Sequence, residues 1–234
     1  MKLKIILFST ILFLQFVICI LASAQTLTPL PPTCTGDSQP CKIDGVISDI
    51  DGNLYPIINI GTQVWMAQNL KVTKYHNGTA ITKVTNEDIW SNQKTEAYCI
   101  HDSIYGALYN WYSVNTGKLC PIGWHVPTDA EWTTMTNHLG GDSVAGGKLK
   151  ECGTTHWATP NTEATNETCF SALPGGYRSL NGYVNCVGSY THWWTSTEKD
   201  ANKAWYRDVG LGYASVYRND LFKQDGFSIR CLKD

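Results

Sequence analysis

The side chains of this 234-residue chain that could do redox or metal chemistry are nine cysteines and six histidines. The cysteines include no Cys-x-x-Cys pair, so a zinc site or a thioredoxin-like redox site is a weak interpretation. The histidines form no His-Glu-x-x-His unit, the motif that places two zinc ligands on one helix face. The chain also has no Gly-x-Ser-x-Gly nucleophile motif and no glycine-rich phosphate loop. The residue types and their spacing therefore predict a protein without catalysis.

One histidine, His125, lies in the segment around which the rest of the chain is organised, residues 119–132. Thr128 and Glu131 have the spacing of a capping box, which predicts that a helix begins there. That helix should cover residues 129–139, where apolar residues share one face, and a Gly-Gly pair should end it. We interpret His125 as a partly buried histidine that makes hydrogen bonds.

Residues 1–24 have the pattern of a secretory signal peptide. Lys2 and Lys4 give a basic start, residues 5–21 are mostly apolar, and Ala22-Ser23-Ala24 is a small-residue cleavage site. No later apolar run is long enough to span a bilayer, so no transmembrane helix is expected after cleavage. The net charge of −2 gives no indication of a nucleic-acid surface. The sequence therefore predicts an exported protein, at the cell surface, outside the cell or in the periplasm.

Cleavage would remove Cys19, where bulky preceding residues argue against lipid attachment, and would leave eight cysteines. An even number of cysteines in an exported chain favours disulfides, although sequence alone does not fix which cysteines pair. The candidate pairs are Cys34 with Cys41, Cys152 with Cys169, and Cys120 with Cys231. The partners of Cys99 and Cys186 stay open.

The mature chain is expected to begin with a proline-rich arm, residues 25–43, followed by one domain over residues 44–234. Asp51-Gly52 predicts a hairpin turn between two short strands. The apolar spacing of residues 103–114 predicts a helix, and residues 142–150 predict one further short helical turn.

The second half of the domain alternates short β-type segments with turns, which predicts an antiparallel meander. Its strands are expected at residues 190–197, 204–209, 214–218 and 226–232. Because helices come first and most strands later, the sequence favours an α+β fold.

Seven segments, in this order, strongly resemble the Fibrobacter succinogenes major paralogous domain. They are residues 51–55 (Asp-Gly-Asn-Leu-Tyr), 63–70 (Gln-Val-Trp-Met-Ala-Gln-Asn-Leu), 105–111 (Tyr-Gly-Ala-Leu-Tyr-Asn-Trp), 120–127 (Cys-Pro-Ile-Gly-Trp-His-Val-Pro), 173–178 (Leu-Pro-Gly-Gly-Tyr-Arg), 193–198 (Trp-Trp-Thr-Ser-Thr-Glu) and 226–231 (Gly-Phe-Ser-Ile-Arg-Cys). The resemblance implies a C-type-lectin-like fold, in which two helices pack beside a twisted antiparallel sheet with long loops. It also implies an exported protein of a Fibrobacter or Bacteroidota-type bacterium, with Cys152, Cys169 and Cys186 as departures from the family pattern.

Two activities of similar folds have incomplete motifs in this chain. Formylglycine-generating enzymes hold copper with two closely spaced cysteines, whereas Gly175-Gly176-Tyr177 is followed here by Cys186 alone. Calcium-dependent lectins use Glu-Pro-Asn and Trp-Asn-Asp oxygen ligands. This chain has Thr159-Pro160-Asn161 and Arg218-Asn219-Asp220, which lack the carboxylate and the Trp. No cofactor is therefore predicted, and Ca²⁺ is an alternative without motif support.

Nine Trp and twelve Tyr residues leave aromatic binding as the main candidate chemistry. Because neighbouring residues of a strand point to opposite faces, we expect either Trp193 or Trp194 to face outward. Exposed aromatic rings beside Arg or Asn side chains suit stacking on a sugar or anchoring of a protein partner. The candidate ligand-binding residues are Trp193, Trp194, Tyr206, Arg207, Arg218 and Asn219.

The sequence thus favours a surface recognition module that binds a glycan or a protein partner. The competing prediction is a structural subunit of a surface assembly attached through the proline-rich arm. An oxidase of the formylglycine-generating type is third, and the oligomeric state stays open.

Overall fold

A computed structural model describes residues 41–234, so the predicted signal peptide, Cys34 and most of the predicted arm lie outside the described residues. This part of the chain is α+β and mostly antiparallel sheet. Its strands are β1 (Gly45–Ser48), β2 (Leu54–Ile60), β3 (Gln63–Met66), β4 (Tyr98–Cys99), β5 (Leu108–Asn110), β6 (Trp124–His125), β7 (Tyr177–Arg178), β8 (Val184–Asn185), β9 (Tyr190–Glu198), β10 (Lys203–Gly210), β11 (Tyr217–Phe222), β12 (Gly226–Phe227) and β13 (Leu232–Lys233). Its helices are α1 (Glu87–Ser91), α2 (Trp111–Val114), α3 (Asp129–His138) and α4 (Asp142–Leu149), with a 3₁₀ turn at Ser103–Tyr105. Within this range, no helix is both apolar enough and long enough to cross a bilayer.

The first sheet has the strand order β1-β2-β3-β13-β6 and contains the predicted hairpin. Asp49 fixes its turn, because one carboxylate oxygen accepts from the amides of Asp51 and Asn53. The other oxygen accepts from the Tyr55 hydroxyl at 2.6 Å. The hairpin prediction is confirmed.

The second sheet, β4-β5-β12-β7-β8, contains residues for which a helix was predicted. The prediction of one helix over residues 103–114 is wrong, since a 3₁₀ turn, β5 and the short helix α2 divide this stretch. Gly106 has φ of 82°, and a Cβ at this position would lie 2.9 Å from that of Asn69. The chain therefore leaves helical geometry at Gly106, and β5 gains strand partners on both sides.

The third sheet, β11-β10-β9, is the predicted meander. Its edge strand is β11, at residues 217–222 in place of the predicted 214–218. The last predicted strand is divided between β12 and β13, which belong to different sheets. Arg230 and Cys231, between these two strands, lie in the interior.

Helix α3 begins at the predicted capping box, with Glu131 N 3.2 Å from Thr128 Oγ1 and Thr128 N 2.7 Å from Glu131 Oε2. Helix α4 forms although it contains two glycines, because other backbone packs against them. A Cβ at Gly146 would lie 2.4 Å from the Ser215 carbonyl oxygen, and a Cβ at Gly147 equally close to that of Glu163. The glycines therefore allow a close approach of helix and loops.

Hydrophobic cores cover both faces of β9, and this explains one wrong expectation. Trp193 packs with Trp132 and Phe170 on one side, and Trp194 stacks on Phe227 on the other. Both Trp side chains are fully buried. The alternation of faces is correct, but neither ring faces outward because each face has its own core.

The predicted disulfide between Cys120 and Cys231 is confirmed, with a Cα–Cα distance of 5.9 Å. The two local pairs, Cys34 with Cys41 and Cys152 with Cys169, are wrong, because Cys41 pairs with Cys169. Cys152 is also disulfide-bonded. Among the described cysteines, the buried Cys99 and the exposed Cys186 are free thiols.

Candidate functional site

The register of the third sheet separates the predicted ligand-binding residues onto two faces. Tyr206 lies opposite Asn219 of β11, so these two residues share one face. Arg207 lies opposite Arg218 and shares the other face with it. The structure therefore brings the candidates together as two pairs, each on its own side of the sheet.

The two Trp candidates, Trp193 and Trp194, use their only polar atoms inside the protein. The Trp193 indole nitrogen donates to Asn69 Oδ1 at 3.0 Å, and the Trp194 indole nitrogen donates to the Tyr109 carbonyl at 3.0 Å. With both rings buried, these residues hold the cores together and have no surface to present to a ligand.

The arginine face connects helix α3 to the sheet. Arg207 is buried and donates to Asp129 Oδ1 at 2.9 Å and to Thr133 Oγ1 at 2.8 Å. Arg218 is exposed and donates to the second Asp129 oxygen at 2.7 Å. The Arg218 guanidinium also lies 3.4 Å from the ring centroid of Trp205. A side of this aromatic ring is thus already covered, which leaves it poorly suited to stack on a sugar.

The opposite face of the sheet carries a set of phenol rings around one carboxylate, and we call this set the tyrosine face. Its members are Tyr190, His192, Tyr206, Asp208, Tyr213, Tyr217 and Asn219. Asp208 is central, because its register partners are His192 on β9 and Tyr217 on β11. Tyr213 comes from the loop between β10 and β11.

A glycine makes room for two rings of the tyrosine face. A Cβ at Gly210 would lie 2.7 Å from both Tyr190 Cε1 and Tyr213 Cζ. The Tyr213 ring is perpendicular to that of Tyr217, with their centroids 4.7 Å apart. Tyr217 is 47% exposed, whereas Asp208 is 5% exposed. The carboxylate is therefore recessed among more exposed rings.

Hydrogen bonds hold the Asp208 carboxylate in place. The Tyr213 hydroxyl donates to one oxygen at 2.7 Å, and the Asn219 amide donates to the other at 3.4 Å. Burial raises the pKa of Asp208 above its usual value, and these two hydrogen bonds oppose that shift by favouring the ionised form. Burial also raises the pKa of Tyr206 and Tyr213, so their phenols stay protonated as donors.

His192 adds no positive charge to this face. It is 8% exposed, and burial lowers its pKa to about 3. Its Nδ1 atom is buried without a hydrogen-bond partner among residues 41–234. The imidazole is therefore neutral at physiological pH and acts as an aromatic spacer beneath the rings.

A separate cavity of about 280 Å³ is lined by residues that include Cys99, His101 and Arg178. Arg178 donates to the backbone carbonyls of Gly182, Val84, Thr85 and Asn86, so its donors are engaged by the protein. Burial raises the pKa of the Cys99 thiol despite the nearby guanidinium, which favours the less reactive protonated form.

Residues of the two lectin-like tripeptides are also engaged in bonds within the protein. The Asn161 amide donates to the carbonyls of Glu151 and Gly153. The Asp220 carboxylate pairs with Lys199 and Lys203. No group of three or more His, Cys, Asp or Glu side chains in residues 41–234 is placed to hold a metal ion. Calcium binding stays an untested alternative, which titration can decide.

The family model of the Fibrobacter succinogenes major domain matches residues 58–233, which is well over half of the chain. The chain belongs to this family. Comparisons with curated proteins and with solved structures found no match. Strand β1 precedes the matched range and pairs with β2, whose last three residues lie within it.

Sequence reasoning missed five members of the tyrosine face. They are Tyr190, His192, Asp208, Tyr213 and Tyr217. The alternation along β10 and β11 indicates which residues of one strand share a face, but it does not give the register between strands. Tyr213 lies in a loop, where no periodic signal places it. The motifs of the Fibrobacter succinogenes major domain do not include these five residues either.

Proposed function

We propose that this domain is an exported, non-catalytic recognition module with a C-type-lectin-like fold that binds a glycan at the tyrosine face. One observation carries the proposal: partly exposed phenol rings surround a recessed carboxylate that is paired with an amide. Aromatic rings stack on the apolar faces of sugars, while carboxylate, amide and phenol groups bind sugar hydroxyls. Placement on a regular sheet keeps these groups in a fixed arrangement.

Export is supported by the signal-peptide pattern together with the disulfides. The bonds Cys41–Cys169 and Cys120–Cys231 join parts of the chain 128 and 111 residues apart. Such structural disulfides persist in oxidising compartments. A surface location suits a module that recognises glycans of a neighbouring cell or of a food source.

The absence of catalysis is supported by the state of the titratable groups on the tyrosine face. His192 is neutral and nearly buried, and Asp208 accepts hydrogen bonds from its own neighbours. A general base needs a pKa near the working pH, and burial holds the pKa of His192 at about 3. Copper titration with a substrate-peptide oxidation assay tests the oxidase alternative, and turnover would contradict the proposal.

The test is a calorimetric titration of the mature protein against a panel of plant and host polysaccharides, with and without calcium. Tyr217→Ala is the test variant, and Phe222→Ala is its matched control. Both are exposed aromatic residues of β11, but an odd separation places them on opposite faces. We expect calcium-independent binding that Tyr217→Ala weakens by about tenfold or more and Phe222→Ala leaves unchanged. Equal loss in both variants would contradict the proposed site.

A structural role in a surface assembly is the second candidate function, and the edge strand β11 favours it. All six residues of β11 are at least partly exposed, and β10 is its one strand partner within the described sheet. A strand of another chain could pair there, although the charges of Arg218 and Asp220 oppose such pairing. Light scattering of the mature protein tests it, and assembly that Tyr217→Pro abolishes would favour this role.

A further inference from the structure

The tyrosine face has a negative centre without a cation among its seven members. Asp208 supplies the carboxylate, His192 is neutral, and the remaining members are phenols and one amide. One cation approaches from the interior, where Lys150 Nζ donates to the carbonyls of Thr162, Gly210 and Tyr213. Lys150 is fully buried, so its ammonium is not presented to solvent on this face.

The opposite face of the same two strands carries the cations. Arg218, Lys199 and Lys203 lie there, where they pair with Asp129 and Asp220. Two of them cover Trp205, with Lys199 Nζ 5.1 Å and Arg218 Cζ 3.4 Å from its ring centroid. Cations of the protein itself therefore cover the Trp205 ring, whereas no cation of residues 41–234 lies over a ring of the tyrosine face.

Phenol rings around a carboxylate are the arrangement that binds organic cations. Each ring attracts a cation placed over its face within about 6 Å of the centroid. The centroids of Tyr213 and Tyr217 are 4.7 Å apart and those of Tyr190 and Tyr213 are 6.1 Å apart, so the three rings form one contiguous aromatic surface beside the carboxylate. A recessed carboxylate adds a charge-assisted hydrogen bond to an ammonium ion.

We propose that the ligand of the tyrosine face carries a primary ammonium group, and specifically that it is a glycan with unacetylated hexosamine units. The ammonium group lies against the Asp208 carboxylate and beside the phenol rings, which also contact the sugar ring. This inference rests on the proposed glycan binding, and it specifies in addition that the bound sugar is positively charged.

The first experiment is a calorimetric titration of the mature protein with size-matched oligomers. The probes are a glucosamine tetramer, an N-acetylglucosamine tetramer and tetralysine, at pH 6 and moderate salt. We expect the glucosamine tetramer to bind about tenfold or more tightly than either of the others. Equal affinity for the acetylated tetramer would overturn the ammonium preference and leave glycan binding intact. Equal affinity for tetralysine would overturn the sugar identity, and absence of heat from both sugars, with none from the polysaccharide panel, would overturn both proposals.

The second experiment separates the site from the overall charge of the protein. Asp208→Asn and its matched control Asp220→Asn remove one negative charge each, from two faces of the same sheet. We expect the preference for the glucosamine tetramer to fall about tenfold in Asp208→Asn and to persist in Asp220→Asn. An equal decrease in both variants would show non-specific charge attraction and would overturn the inference.

A third variant keeps the test decisive if Asp208→Asn fails to fold. Tyr217→Leu retains an apolar side chain at an exposed position but removes the aromatic ring. We expect it to lose most of the preference for the glucosamine tetramer over the acetylated one, because the cation contact with the ring is lost. An unchanged preference in a folded Tyr217→Leu protein would overturn the role of the phenol rings.

Discussion

The motif residues and the tyrosine face use polar groups in opposite ways. Arg230, from the last motif, is buried and donates to Asn69 Oδ1 and to the carbonyls of Met66, Phe170 and Ser171. By contrast, Tyr217 is exposed, and its hydroxyl makes no hydrogen bond within residues 41–234. The motif residues satisfy backbone carbonyls inside the protein, and the tyrosine face presents an unpaired phenol hydroxyl to solvent.

This difference separates the residues that define the fold of this family member from those proposed to bind a ligand. Motif residues such as Trp193, Arg178 and Arg230 are buried and connect strands and loops, so they define the fold. The tyrosine face lies on β9, β10, β11 and a loop, between the motif segments. Knowing the family therefore identifies the residues that define the fold, while the proposed recognition surface is found from geometry.

The largest expected effect in this comparison comes from Arg230. Arg230→Met removes donors from four acceptors in the interior and should lower the free energy of unfolding by about 3 kcal/mol or more. Arg218→Met, in the exposed arginine of β11, is the control and should cost about 1 kcal/mol or less. Urea denaturation measures both free energies of unfolding. A similar cost for the two variants would contradict the assignment of Arg230 to the residues that define the fold.

The second effect is a loss of stability at acidic pH, which comes from His192 of the tyrosine face. The pKa of His192 is about 3 in the folded protein, against about 6.5 for a histidine in the unfolded chain, so the unfolded chain takes up a proton first. Its contribution to stability is present above pH 6.5 and is lost as pH falls, by up to about 1.4 kcal/mol per pH unit. Asp225, whose pKa burial raises to about 7, titrates in the same range.

The effect of His192 is therefore the difference between the wild-type protein and His192→Gln. Urea denaturation from pH 7.5 to pH 4.5 should show that difference shrinking as pH falls. If the stability difference between the two proteins does not depend on pH, His192 takes up a proton as readily in the folded protein as in the unfolded chain. The tyrosine face would then contain a cation at acidic pH.

The third effect is a pH dependence of stability with the opposite sign, and it comes from the motif residue His125. Burial lowers the pKa of His125, but hydrogen bonds to Asp234 Oδ1 at 2.7 Å and Glu131 Oε1 at 3.0 Å outweigh it, so the pKa is raised. The stability from this interaction is complete below pH 6.5 and is lost as pH rises through the raised pKa. Because these groups are partly exposed, we expect about 0.5–1 kcal/mol, measured as the difference between wild type and His125→Gln. Growth of that difference with rising pH would contradict the assigned ion pairs.

The smallest expected effect on stability belongs to Gly210. Gly210→Ala should displace the ring ends of Tyr190 and Tyr213, which are partly exposed side chains and not backbone, at a cost of about 1 kcal/mol or less. Gly146→Ala is the matched control, because its Cβ would meet the backbone of residues 214 and 215 and should cost more. Thermal unfolding measures the loss of stability in each variant. A larger loss in Gly210→Ala than in Gly146→Ala would show that the rings of the tyrosine face help to define the fold.

Local signals in the sequence predicted the elements that depend on neighbouring residues. The Asp51-Gly52 hairpin and the capping box at Thr128 are set within a few residues, and the structure has both. The helix predicted over residues 103–114 failed because β5 gains strand partners from distant parts of the chain, which outweigh apolar spacing.

The candidate site was predicted only in part for the same reason. Tyr206 and Asn219 share the tyrosine face, but their neighbours depend on a register between strands. The burial of Trp193 and Trp194 depends on two cores built from distant segments. The Cys41–Cys169 bond likewise depends on a contact across 128 residues.

The most direct test of the central claim is to map the ligand contacts by NMR on the wild-type protein during titration with a glucosamine tetramer. We predict that the largest chemical-shift changes occur at Tyr190, Asp208, Tyr213 and Tyr217, with little change at Trp205, Arg218 and Phe222 on the opposite face. Changes centred on Trp205 and Arg218, or changes confined to the buried motif residues around Arg178 and Arg230, would contradict ligand binding at the tyrosine face.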